Sequence, residues 1–410
     1  MYHLSLTFTV HRALLISGVL RNVLLFIFFF SFTLSVLLIL STFMEERLAV
    51  PMQSSESRIS LIQQVRIFPQ GGGDVKFDQP WRLPDVVVIK ELADLQSGPQ
   101  KYIVSNFSYS PGLGNLMFQY ASLRAIAAKY GAKVLLPIDC TLRRAFNLDA
   151  VFVSRALNDY LIGKFDAVKH HFEECCRYYE SASTGLFSRK GQKFELLIGY
   201  FQAFPYFHPH QELLIREQFR FLPSVAIRAN DLILEAKAEK IRATAGALEG
   251  DNVNEIEQAA IPDIDESTYV YVGVHVRHGM DITLNSRNTK HGHTVATREY
   301  FKNAMNYFRQ KYNNIVFIIT SDNRAWMSAH IDVIRRGEVY FLNSRHREVD
   351  LAALALCNHT IMSTGTFSWW AAYLADGDAV YYGDWPNPGS VLERTVHKKD
   401  FFLEKWIAIR

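Results

Sequence analysis

Three short segments combine cationic, hydroxyl and glycine residues in ways that suit a negatively charged ligand. In GVHVRHGMD, Gly273–Asp281, His275 and Arg277 share one face if the strand persists, and Gly279 supports a tight turn. A guanidinium at that place matches phosphate, because its fork of donors meets two oxygens at once, and a surface ion pair with a carboxylate is the competing reading. FIITSDN, Phe317–Asn323, carries Asp322 just past an apolar run. Asp322 can accept from a base or ribose there, or serve with Ser321 as an ordinary helix cap. In STGTFSWW, Ser363–Trp370, a strand runs through Thr364, Gly365 and Thr366 into a helix that begins at Phe367 and Ser368. Exposed N–H groups at that helix start, with hydroxyls beside them, form an anion cradle. The three segments converge on one pyrophosphate. Earlier in the chain, GLGNLMFQY at Gly112–Tyr120 repeats the theme: Gly112 and Gly114 let backbone approach a ligand, or merely connect a strand to a helix.

These residues need elements to hold them. Apolar periodicity predicts strand Tyr102–Ser105, helix Asn115–Tyr130 and strand Lys133–Leu136, with a further strand within Val86–Ile89. A helical stretch follows over Ala226–Ala245, and the sparse segment Glu249–Ser267 reads as a linker. Beyond it strands Tyr269–Val276, Ile315–Thr320, Glu338–Leu342, Thr360–Ser363 and Ala379–Tyr382 alternate with helices Arg298–Tyr312, Asn323–Arg335, Val349–Cys357 and Phe367–Ala375. Alternation of this kind predicts an α/β fold, a parallel sheet covered by helices with ligands at the carboxyl ends of its strands.

The chain has 410 residues, of which 49% are hydrophobic and 21% charged, which excludes a disordered or collagen-like protein. A net charge of +3 without a basic, aromatic-interleaved run argues against nucleic acid as a partner. No charge falls between Asn22 and Met44, and Val23–Phe43 is a 21-residue apolar run. At about 1.5 Å per residue it spans roughly 30 Å, the thickness of a bilayer core. Arg12 and Arg21 precede it and Glu45, Glu46 and Arg47 follow. The expectation is therefore a cytoplasmic tail (1–21), a transmembrane signal-anchor (22–44) and a stem (45–100), all before the α/β part, with the remainder extracytoplasmic. Within that remainder the expected divisions are 101–260 and 261–410.

Other motifs read more plainly. Asp263-Ile264-Asp265 and Asp376-Gly377-Asp378 resemble metal-binding triplets, but neither lies at a strand's carboxyl end, and both read as solvated turns. His291 and His293 lack companions at ligand spacing, so no metal is expected. The aromatic run GYFQAFPYFHPH, Gly199–His210, reads as core or as acceptor surface. Cys140, Cys175, Cys176 and Cys357 allow three pairings if all four join. Asn106-Phe107-Ser108 and Asn358-His359-Thr360 are glycosylation acceptors by pattern.

The blocks GLGNLMFQYASLRAIAAKYG, GYFQAFPYFHP, VGVHVRHG, FIITSDN and DLAALALCNHTIMSTGTFSWWAAYLADGDAVYY, in this order and spacing, resemble the α-1,2-fucosyltransferases over about Lys101–Trp385. The resemblance implies a GT-B-like fold of two Rossmann-like domains, the second binding GDP-fucose. It implies a Golgi type II membrane enzyme, luminal in its catalytic part, that moves fucose with inversion to a galactose hydroxyl of a glycan without a required metal or other cofactor. It places His275 and Asp322 near guanine or ribose, Arg277 on the β-phosphate, Gly114 and Asn115 near the pyrophosphate from the other side, and Thr364, Gly365, Thr366, Phe367 and Ser368 on the phosphates. Where the family usually reads HVRRGD, this chain reads HVRHGMD. His278 stands at the second arginine and Met280 at the aspartate, unless an inserted residue restores Asp281 to that role. A silent glycan- or nucleotide-binding membrane protein of the same fold is the alternative. No carboxylate stands out as general base.

Overall fold

The computed structural model describes residues 79–107, 112–166, 169–172, 175–249, 269–331 and 337–410. The expected membrane span, most of the expected stem, the linker and Asp263–Asp265 lie outside the described residues. Among those described, no helix is long and apolar enough to cross a membrane.

Two six-stranded sheets organise the chain. The first contains β1 (Val88–Ile89), β2 (Lys101–Val104), β3 (Ala132–Pro137), β4 (Val151–Val153), β5 (His170–Phe172) and β6 (Phe194–Gly199), in the order β1-β4-β3-β2-β6-β5. The second contains β7 (Val270–Val276), β8 (Ile315–Ser321), β9 (Val339–Phe341), β10 (His359–Met362), β11 (Ala379–Tyr382) and β12 (Ile407–Ile409), in the order β12-β11-β10-β7-β8-β9. Every pairing in both is parallel. Read from β9, the second sheet has the doubly wound order 3-2-1-4-5-6, whose direction reverses between β7 and β10. Connections leave these two strands toward opposite edges, so a crevice opens at their carboxyl ends. In the first sheet the corresponding reversal lies between β2 and β6.

Five helices position the site: α1 (Leu113–Lys129), α2 (Pro223–Glu249), α3 (Arg298–Lys311), α4 (Arg347–Ala355) and α5 (Thr366–Ala375). Leu116, Tyr120, Leu123 and Ala127 on α1 are buried, as their spacing predicts, but so are Met117, Phe118 and Ala121. The reason is tertiary: α1 packs on β3 and also against α5. Phe118 meets Trp369 and Trp370 at 4.4 and 5.0 Å between ring centres, and Phe207 stacks on Trp370 at 5.6 Å. The aromatic run therefore belongs to the core, with Phe201, Tyr206 and Phe207 buried rather than presented to a ligand.

Several elements were not legible in the sequence. β4, β5 and β12 are three residues each, too short for a period to show, and β6 hides a buried Glu195 among apolar residues. That carboxylate accepts from Phe187 N–H at 2.5 Å. The helix expected at Asn323–Arg335 is seen as Arg324–His330, with 332–336 outside the described residues. Four-cysteine pairing does not occur: Cys175 is bonded to Cys176, while Cys140 and Cys357 are buried thiols outside any disulfide.

Candidate active site

β7 alternates His275 and Arg277 toward one face, and β10 runs beside it in parallel, so the two strand ends place Arg277 next to Ser363. Arg277 N–H donates to Ser363 Oγ at 3.0 Å, and the same hydroxyl lies 3.2 Å from His275 Nδ1. His275 is only 7% exposed, with its ring 4.8 Å from that of Phe367. Burial first, and the Arg277 charge second, push its imidazole down to about 3, so it is neutral. Its place is behind the site, where it orients Ser363 and through it the backbone of Arg277.

The Arg277 guanidinium lies over Gly365. That residue has φ +89°, a conformation that favours glycine, and a Cβ there would stand 2.7 Å from Arg277 Nη1 and displace the guanidinium. Arg277 Nη2 pairs with Asp281 Oδ2 at 2.5 Å, whereas its buried Nε has no hydrogen-bond partner among the described residues. A further anion is the group whose acceptors would complete this guanidinium. α5 begins beside it with no side-chain cap on its N-terminus. The hydroxyls expected to join the cradle face elsewhere: Thr364 Oγ1 donates to Thr294 O at 3.2 Å, Thr366 Oγ1 to Asn115 Oδ1 at 2.6 Å and Ser368 Oγ to Gly365 O at 3.2 Å. All three are buried. These bonds hold the loop in shape.

The first sheet meets this cradle through its own reversal point. Gly114 sits so close to α5 that a Cβ would lie 2.6 Å from the Thr366 carbonyl carbon and 2.7 Å from Phe367 N. Trp370 Nε1 donates to Gly114 O at 3.0 Å. Asn115 Oδ1 also accepts from Gln202 Nε2 at 2.9 Å, which ties the turn after β6 to the same point. Sequence reasoning missed Gln202, which lies hidden in an aromatic run. Its only signal is that it is a polar residue just beyond a strand end.

Asp322 is not the helix cap, because Asn323 Oδ1 takes that part by accepting from Trp326 N–H at 3.0 Å. Asp322 Oδ1 instead accepts from His278 N–H at 2.7 Å. Gly279 allows this turn, since a Cβ would come 2.5 Å from Asp322 Oδ2. His278 stacks on Trp326 at 4.2 Å, with its Nδ1 buried and without a hydrogen-bond partner among the described residues. An imidazole there cannot copy a guanidinium fork.

The two triplet aspartates serve as structural anchors. Asp376 pairs with Lys405 and Arg216 at 2.7 and 3.2 Å, and Asp378 with Lys311 at 2.7 Å. Lysine and the Tyr312 hydroxyl hold the Asp378 carboxyl below its usual range although burial opposes them. Asn358 is engaged through Oδ1, which accepts from Tyr271 N–H at 2.9 Å, beside a fully buried Thr360. Asn106 is half-buried after β2, and Ser108 lies outside the described residues. A separate cavity of about 620 Å³ shares no residue with this site. Its charged wall residues Asp85, Asp149 and Glu217 are already paired with Arg82, with Arg124 and Lys133, and with Arg220.

An anion site at facing reversal points of two parallel α/β sheets is suited to group transfer from a phosphorylated donor, and comparison shows the class to be glycosyltransferase. The family model Glycosyl transferase family 11 matches residues 248–410. Galactoside alpha-(1,2)-fucosyltransferase 2 of Bos taurus is 30% identical over 302 residues, 72% of this chain and 76% of that protein. The Sus scrofa enzyme of the same name is 28% identical over 340 residues, covering 82% and 88%. The solved fucosyltransferase NodZ from Bradyrhizobium aligns over 67% of this chain and 92% of its own, with 13% identity and a TM-score of 0.37. The chain belongs to the α-1,2-fucosyltransferase family.

Proposed function

We propose that this enzyme transfers L-fucose from GDP-fucose to a galactose hydroxyl of a glycan, with inversion and in α-1,2 linkage. The observation that carries this reading is the Arg277 guanidinium seated on Gly365 at the uncapped start of α5, with its Nε unpartnered. As the bond from fucose to phosphate breaks, negative charge grows on the departing diphosphate, and a fixed cation with aimed N–H groups stabilises that charge more than the ground state. Arg277 and the backbone from Gly365 to Phe367 take this role. Gly114 and Asn115 close the site from the first sheet in a GT-B arrangement, the second sheet holding the donor. Asp322 and His278 then flank the nucleoside side.

Charge neutralisation by Arg277 makes a divalent cation unnecessary in this reading. The 21-residue apolar run and its preceding arginines support a single-pass type II Golgi protein with a luminal catalytic part and glycosylation at Asn106. Incubating the soluble portion with GDP-fucose and a panel of galactose-terminated acceptors, with and without EDTA, and determining the product linkage tests the chemistry. A linkage other than α-1,2, or Mn²⁺-restored loss of turnover in EDTA, would overturn it. Protease digestion of sealed microsomes tests the topology, which fails if the C-terminus is cut without detergent.

A further inference from the structure

We infer that His293 is the general base that takes the proton from the acceptor hydroxyl, an assignment that rests on the fucosyl-transfer reading above. The segment carrying it is pinned on both sides. Thr294 O accepts from Thr364 Oγ1 at 3.2 Å, one residue from the glycine beneath the Arg277 guanidinium, and Gly292 O accepts from Asn387 N–H at 3.0 Å. Gly292, at φ +120°, lies so close to Ser390 that a Cβ would stand 2.2 Å from its Oγ. The imidazole between these anchors is thus held at the rim of the cleft on the Arg277 side.

The carboxylates and the buried imidazole near Arg277 are engaged, and the Nδ1 of His278 is buried against Trp326 and out of reach of an acceptor. Asp281 is paired with Arg277, Asp322 accepts from His278 N–H, and His275 is buried against Ser363. His293 is half-buried; its backbone N–H donates to Asn288 O at 3.1 Å, and its imidazole makes no hydrogen bond to the described residues. The titratable groups that face it are Arg277, His291 at 5.8 Å between ring centres, and Asp281, while the 387–390 turn and Thr364 bring only uncharged side chains. Burial, then Arg277 and His291, push its imidazole down to about 4, and Asp281 opposes them. It therefore enters the reaction unprotonated. A bound diphosphate beside Arg277 offsets that guanidinium's field and raises the basicity of His293, so the base strengthens when the donor is in place.

The step balances without a co-reactant. The acceptor O–H gives its proton to a ring nitrogen of His293, and the oxygen forms a bond to the anomeric carbon of fucose. The bond from that carbon to the β-phosphate oxygen breaks, its electron pair leaving with GDP, and the imidazolium later returns its proton to water.

The test compares wild type with His293→Gln and His293→Ala, using His291→Gln as a neighbouring control, and follows the His293 ring by NMR as pH is varied with and without GDP. Loss of a general base lowers turnover by about 10²-fold or more. The expected result is that loss at His293 alone, with GDP affinity unchanged, partial rescue of His293→Ala by added imidazole, and an upward shift of the His293 titration when GDP binds. Full turnover in His293→Gln, with wild type active, overturns the base and leaves the transferase reading intact. Parallel loss of turnover and GDP affinity without imidazole rescue reduces His293 to a structural part and also overturns it. A wild-type protein that binds GDP but fucosylates no acceptor overturns both readings together.

Discussion

Replacing Gly114 with alanine sets two opposed effects against each other at one residue. Gly114 is near the start of α1 with ordinary helical backbone, so propensity alone predicts that alanine stabilises by about 0.5–1 kcal/mol. The new methyl, however, would stand 2.6 and 2.7 Å from Thr366 and Phe367 backbone atoms, which no side-chain rotation can move. Ordinary carbon contacts begin near 3.5 Å, so α1 and α5 must separate by about 1 Å. Overpacking of this kind costs about 1–3 kcal/mol. The separation also strains the Thr366–Asn115 and Trp370–Gly114 hydrogen bonds, each contributing about 0.5–1.5 kcal/mol. Sterics win, and the net destabilisation is about 3 kcal/mol, a fall in Tm of roughly 3–5 °C for a protein of this size. Displacement by 1 Å at the donor cradle should also reduce turnover by about 10²-fold. Thermal denaturation followed by circular dichroism, with initial rates at saturating donor, measures both. A variant that melts at or above the wild-type temperature with full turnover would refute the close meeting of the two sheets at Gly114 and Thr366.

Arg277→Ala should lower fucosyl transfer by at least about 10²-fold, since removal of one preorganised charge-stabilising donor has that effect, and Arg277→Lys should restore only part because the fork is lost. Steady-state rates beside GDP binding check this, and an undiminished Arg277→Ala rate places the phosphate elsewhere. Glu348 is fully buried and pairs with Arg144 of the first sheet's side at 3.0 Å and with Arg347 at 3.3 Å, so Glu348→Gln should destabilise by roughly 3 kcal/mol in denaturant unfolding. A change below about 0.5 kcal/mol would place it among ordinary surface pairs. His275 and His293 are held neutral, with folded values of about 3 and 4 beneath an unfolded value near 6.5. In that window the unfolded chain binds more protons, so stability should fall as pH drops from about 6.5 toward 4 and be flat above it. His275→Gln should weaken that dependence, and an identical pH profile would show that His275 does not contribute to it.

Alternating β-branched and amphipathic runs after Tyr269 were sufficient to show a parallel α/β sheet, because strand and helix periods are local properties of the chain. The strand-end positions of Arg277, Gly365 and Asp322 followed from the same alternation. Other features depended on contacts distant in sequence. His275 and Arg277 share a face by spacing, yet only the packing of Phe367 and Ser363 makes one a buried prop and leaves the other on the rim. Thr364, Thr366 and Ser368 stand together by spacing, but their partners Thr294, Asn115 and Gly365 are set by the tertiary fold. His293 stood out in sequence only as one of a histidine pair without metal-ligand companions, because its place beside Arg277, sixteen residues earlier, is set by a loop and two short helices. Gly114 and Thr366 are 252 positions apart, and nothing in either segment specifies that their backbones touch. Periodicity thus determined the elements and their ends. Tertiary packing decided which side chain at each end faces a ligand, because burial, charge and hydrogen-bond partners there come from the other sheet and from distant loops.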